Sequence, residues 1–141
     1  MIVPQEIYHP LYEDNEKFII LITGGRGSGK SFNASTFIER LTFEMTPVEK
    51  IVHQILYTRY TMVSAGMSII PEMMEKIDLD GTTKYFKTTK TDIVNKMTKS
   101  RIMFRGIKTS SGNQTAKLKS IQGITTFVCD EAEEWTSEDE F

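Results

Sequence analysis

Apolar positions along the chain follow two rhythms. Phe18 to Ile22 form a continuous apolar run, the pattern of a strand buried on both faces. Ala34, Phe37, Ile38 and Leu41 then fall at i, i+3, i+4 and i+7, which predicts a helix with one apolar face. After Pro47, Ile51 to Thr58 reads as a second strand. Met67, Ile70, Met74 and Ile77 suit a further helix, which Pro71 must start or kink. Tyr85–Thr89, Ile93–Val94 and Arg101–Arg105 are short strand candidates with polar breaks, read as a small antiparallel excursion over 84–107. Residues 108–117 have loop composition, and Thr125–Cys129 forms a last buried strand. Residues 1–16 are polar, carry Pro4 and Pro10, and read as an extended lead-in. The alternation predicts an α/β domain with a mostly parallel sheet flanked by helices.

Composition narrows the class. A chain of 141 residues is one domain or part of one, and 39% hydrophobic with 26% charged residues is ordinary for a soluble globular protein. No apolar run approaches the ~20 residues that cross a bilayer, so no membrane partner is expected. The single cysteine, Cys129, excludes an internal disulfide and reads as core packing. With only His9 and His53 beside it, a Cys/His zinc site is not expected. The net charge of −2 conceals an uneven distribution. Residues 84–119 hold ten basic side chains against Asp92 alone, and the last twelve residues hold seven acids. Taken alone, the basic span is a solvated face; beside a phosphate-handling site it becomes a candidate polyanion surface.

That site is written between the first strand and the first helix. Gly24-Gly25-Arg26-Gly27-Ser28-Gly29-Lys30-Ser31 fits G-x-x-x-x-G-K-[ST], and Phe32 continues into the helix. Glycines let backbone amides approach an anion, and at a helix N-terminus those amides cradle phosphates. Lys30 supplies a point charge to the β- and γ-phosphates of ATP, and Ser31 offers a hydroxyl to Mg²⁺.

Phe127-Val128-Cys129-Asp130-Glu131 supplies the other half. An apolar strand ending in an acid places a carboxylate at the C-terminal edge of the sheet, where open α/β sheets bind ligands. Asp130 is the candidate Mg²⁺ ligand. Glu131, beside it, is the candidate base for an attacking water, which favours hydrolysis over transfer to another acceptor. Together these predict a P-loop NTPase of the additional-strand, catalytic-Glu type. Arg26 is a candidate for stabilising γ-phosphate charge in cis or on a neighbouring subunit, with Arg59 and Arg105 as competitors. From the lead-in, Gln5 and Tyr12 could contact adenine through an amide and a ring.

In order along the chain, these elements resemble the N-terminal ATPase region of a tailed-phage terminase large subunit. The resemblance rests on the 18–31 segment, Tyr57-Thr58-Arg59-Tyr60-Thr61, Ser68-Ile69-Ile70-Pro71-Glu72, Ile102-Met103-Phe104-Arg105-Gly106-Ile107, Lys117-Leu118-Lys119-Ser120-Ile121, and the strand ending at Asp130-Glu131-Ala132-Glu133-Glu134. It implies a viral motor that packages double-stranded DNA into a procapsid in the host cytoplasm. It also implies a homo-oligomeric ring and partnership with a small terminase subunit and a portal protein. In that family the loop arginine matching Arg26 and the acid matching Glu131 are catalytic, and an upstream Gln or aromatic contacts adenine. The family continues with a coupling motif, further strands and a nuclease domain, whereas the sequence ends ten residues after Glu131. The expectation is one truncated ATPase domain over 1–141, with a sheet incomplete at its C-terminal side, no nuclease and slow turnover on its own. A helicase-like motor, a slow nucleotide-dependent switch and a small-molecule kinase are the other readings, in that order.

The basic span generates a first test. Changing Lys96, Lys99 and Lys108 to Glu should lower affinity for duplex DNA and flatten its salt dependence, by about 0.9 in log–log slope per lost phosphate contact. Anisotropy titrations across a salt series measure both quantities. Duplex binding indifferent to the reversals would make the span a solvated face or a subunit contact.

Overall fold

The computed structural model describes residues 1–13, 19–46, 49–61, 69–108 and 121–131. A 3-10 turn over Glu6–Tyr8 leads into a short helix α1, His9–Glu13. The glycine-rich segment follows and feeds α2, Lys30–Leu41. Strand β1 spans Gln54–Thr61 and helix α3 spans Ile70–Leu79, with Pro71 in its first turn, where the missing N–H costs nothing. Three strands come next: β2 Phe86–Thr88, β3 Asp92–Asn95 and β4 Arg101–Lys108. Strand β5, Thr126–Cys129, completes the described elements.

The five strands form one sheet in the order β2-β3-β4-β1-β5. β1 runs parallel to β4 on one side and to β5 on the other. β2, β3 and β4 pair antiparallel. The sheet is therefore mixed rather than mostly parallel, because the expected antiparallel excursion joins the main sheet through β4 instead of standing apart. The α/β class itself holds. The loop expected at 108–117 lies outside the described residues from Thr109 onward.

One expected strand is not seen among the described residues of its span. Among residues 19–22 no strand is assigned, and Ile19 and Leu21 are 79% and 83% exposed. Phe18 lies outside the described residues. A run buried on both faces requires a paired strand beside it, and among the described residues the sheet ends at β5 without one.

Packing follows the strand alternation. Ile55 and Tyr57 of β1, Ile102 and Phe104 of β4, Ile93 of β3 and Phe86 of β2 share one core with Ile38 of α2 and Met73 and Ile77 of α3. Both helices thus cover the same face of the sheet. At the far end of α2, Arg40 grips Asp80 through Nε and Nη2 at 3.1 and 3.0 Å, and the Ile2 N–H donates to the same carboxylate at 2.7 Å. This contact ties the lead-in and both helices together. Among the described residues no helix is long and apolar enough to cross a membrane.

One core residue is a carboxyl. Glu39 is fully buried on α2; one oxygen accepts a hydrogen bond from the Thr82 hydroxyl, while the other has no partner. Burial pushes its pKa up from 4.5 to about 7. A raised acid holds its proton more tightly folded than unfolded, so its contribution is complete below pH 4.5 and is lost as pH rises through about 7. Glu39→Gln should remove that component, on the order of 1–3 kcal/mol. Urea unfolding at several pH values measures it. An equal pH dependence in both proteins would show that Glu39 is charged in the fold.

Candidate nucleotide and carboxylate site

The glycine-rich segment makes a tight turn into α2. Gly29 caps the helix at φ +79°, and a Cβ there would stand 3.4 Å from Asn33 Nδ2 and 3.6 Å from Gln5 Oε1. Left-handed backbone and close quarters both favour glycine at this position. A side chain at Gly24 would meet Ser28 Oγ at 2.8 Å. That hydroxyl is itself buried without a hydrogen-bond partner. Lys30 folds back over the loop, its Nζ donating to the Gly24 carbonyl at 2.8 Å and the Gly25 carbonyl at 3.4 Å. Its ammonium therefore stands over the loop, while the first amides of α2 have no intrahelical acceptors.

The lead-in packs against this turn. Tyr8 donates its hydroxyl to the Ser28 carbonyl at 2.8 Å, and its ring edge lies 3.8 Å from the position of a Gly29 Cβ. Gln5 therefore sits beside the loop. Tyr12 is placed differently. Its hydroxyl donates to the Asn33 carbonyl at 3.0 Å, its ring meets Phe37 edge-on, and Arg40 lies over its face. Tyr12 is thus engaged with α2, and Tyr8, one turn earlier, is the tyrosine against the loop. Arg26 and Ser31 are exposed, and Phe32 is half-buried with Lys76 Nζ 5.2 Å from its ring centre.

The acid pair is set by strand register. β1 and β5 run parallel with Thr58 opposite Cys129. The Asp130 N–H donates to the Thr58 carbonyl at 2.9 Å, and the Thr58 hydroxyl donates to the Val128 carbonyl at 2.7 Å. The next residue of β1, Arg59, then meets the acids. Its Nε donates to Asp130 Oδ2 at 2.9 Å, and its Nη2 lies 3.5 Å from Glu131 Oε1. The side chains are 11% exposed for Arg59, 16% for Asp130 and 42% for Glu131. Asp130 Oδ1 also accepts the Glu131 N–H at 3.1 Å. Glu131 adopts φ +51°, a left-handed conformation that costs a non-glycine residue about 1–2 kcal/mol. Strain of this kind collects at functional sites.

The arginines separate by position. Arg105 on β4 pairs with Asp92 on β3 at 2.8 Å, with β1 between them and the strand that carries the acids, and Arg101 shares that carboxylate at 3.2 Å. Arg26 makes no ion pair among the described residues. Arg59 alone of the three candidates is shown at Asp130 and Glu131. Cys129 takes no part: its thiol is half-buried, and burial raises its pKa to about 11. Among the described residues, no three His, Cys, Asp or Glu side chains cluster to hold a metal.

Comparison with known families gives a direct match. The family model described as phage terminase large subunit covers residues 16–141. A comparison with curated proteins finds no match.

Proposed function

The chain belongs to the phage terminase large-subunit family, and we propose that it is the ATP-hydrolysing motor domain that drives double-stranded DNA into the procapsid. The observation that carries this reading is the strained Glu131 beside Asp130 at the sheet edge, in a chain whose glycine loop opens α2 beneath Lys30. The architecture is read as a P-loop NTPase of the additional-strand, catalytic-Glu type. The nucleotide is assigned to Gly24, Gly25, Arg26, Gly27, Ser28, Gly29, Lys30, Ser31 and Phe32. Gln5, which lies beside Gly29, is proposed to contact adenine.

Charge and hydrogen bonding assign the roles. Amides of the loop and of the first turn of α2 take the phosphate oxygens. Lys30 exchanges its bonds to the Gly24 and Gly25 carbonyls for the stronger attraction of a phosphate. Glu131 accepts a proton from water as the water oxygen bonds to the γ-phosphorus and ADP departs with the bridging oxygen. Arg26, exposed on the loop, is the candidate for neutralising charge on the γ-phosphate.

Magnesium fits the donor chemistry here. The Ser31 hydroxyl and the Asp130 carboxylate are hard oxygen donors of the kind it prefers. Two protein donors are too few for a free-standing site, so the ion is expected to bind with the phosphate chain, usual for this metal. When bound, it would neutralise charge developing on the phosphate oxygens. DNA, a small subunit, a portal protein and neighbouring copies in a ring are the proposed partners, and the host cytoplasm the proposed location.

Two variants test the chemistry. Lys30→Ala should weaken ATP binding by at least about tenfold, since hydrogen bonds to charged groups contribute about 1.5–3 kcal/mol. Calorimetry reads this directly, and unchanged affinity would exclude the loop as the site. Glu131→Gln should keep Mg-ATP binding while lowering turnover by about 10²–10⁴. Parental turnover in that variant, measured by phosphate release, would assign the base elsewhere.

A further inference from the structure

Asp130 and Glu131 are adjacent acids, and Asp130 is nearly buried. Two carboxylates so placed repel, and a buried carboxylate requires a counter-charge. Arg59 supplies it from β1, with a short Nε bond to Asp130 and a longer Nη2 approach to Glu131. The guanidinium is planar and holds its donors in a fixed fork. Contact with one acid therefore constrains its approach to the other.

The cation also stands on the carboxylate that the proposed function assigns to magnesium. Asp130 Oδ2 already receives a charge-assisted bond, and Oδ1 already accepts the Glu131 N–H. A divalent ion that takes up Asp130 must compete with Arg59 for it.

The geometry points to Arg59 as a positioning residue that exchanges with the metal: it holds Asp130 while no metal–nucleotide is bound, and yields that carboxylate when one arrives while keeping its Nη2 toward Glu131. This rests on the nucleotide reading of the site. In it, Arg59 couples site loading to the orientation of the base. The register behind it is built into the fold, because Thr58 and Cys129 pair directly before both residues. The closing of β1 on β5 thus assembles acids and counter-ion in one step. The strain at Glu131 belongs to the same arrangement, since the left-handed turn brings that carboxylate back toward Arg59.

The test uses Arg59→Gln and Arg59→Lys with a non-hydrolysed imido analogue of ATP as the probe. Calorimetry reads the half-saturating magnesium concentration for analogue binding, and thermal unfolding reads folding separately. Arg59→Gln should lower that concentration about tenfold, equivalent to about 1.4 kcal/mol of removed competition. Arg59→Lys, which keeps a cation, should return it toward the parental value. In the parental chain, the Arg59 Nε resonance should move on adding magnesium with the analogue, and stay in place with the analogue in chelator. An unchanged magnesium requirement in Arg59→Gln, with analogue binding intact, would overturn the exchange and leave the nucleotide reading standing. No analogue binding by the parental chain would overturn both. Should Arg59→Gln fail to fold, a stationary Nε resonance in the parental chain would be decisive against the exchange.

Discussion

The parallel register of β1 against β5 holds Thr58 opposite Cys129 and so carries Arg59 to the two acids that follow β5. Parallel pairing places the C-terminal ends of both strands at one edge of the sheet, which is where open α/β sheets gather their chemistry. Because β1 is also paired with β4 on its other side, it cannot slide to another register without breaking both ladders. Its alternation puts Ile55 and Tyr57 into the core beneath α2 and α3. One strand therefore fixes both the interior and the position of the acid cluster.

A strained backbone and a compensated ion pair mark that cluster. Glu131 holds a backbone conformation that non-glycine residues avoid, and Asp130 shares a nearly buried position with a guanidinium. At the loop, Lys30 satisfies carbonyls of its own turn while Ser28 Oγ stays buried without a partner. The Ser28 hydroxyl keeps unused bonding capacity there, and the Lys30 ammonium bonds only neutral carbonyls, which a charged ligand would outcompete. An ordinary glycine turn at the start of a helix would explain the positive φ at Gly29, but not the unsatisfied hydroxyl or the lysine folded over the loop.

Much of the fold was legible in the sequence because its signals are local. The glycine run and the helical spacing of Ala34, Phe37, Ile38 and Leu41 locate α2, and Pro71 marks the first turn of α3. Separate apolar patches mark the short strands at 86–108 but not their edges: β3 extends through Asp92 and Asn95 because backbone pairing does not require apolar side chains. The 18–22 run misled for the opposite reason. Its composition is that of a buried strand, and composition cannot supply the neighbour that burial requires. At the site, the motifs named the loop and the acids, but the Arg59–Asp130 contact joins residues far apart in sequence and depends on strand register. The choice of Tyr8 over Tyr12 beside the loop turns on the phase of a short helix, which an irregular polar lead-in does not reveal.

If residues 24–31 cradle phosphate, amide hydrogen exchange with and without Mg-ATP should register it. Phosphate oxygens accepting from the loop and from the first turn of α2 should slow exchange at Gly27, Gly29, Lys30 and Ser31, with little effect in β2 and β3 on the far side of the sheet. Exchange at those four amides unaltered by saturating Mg-ATP would contradict the assignment.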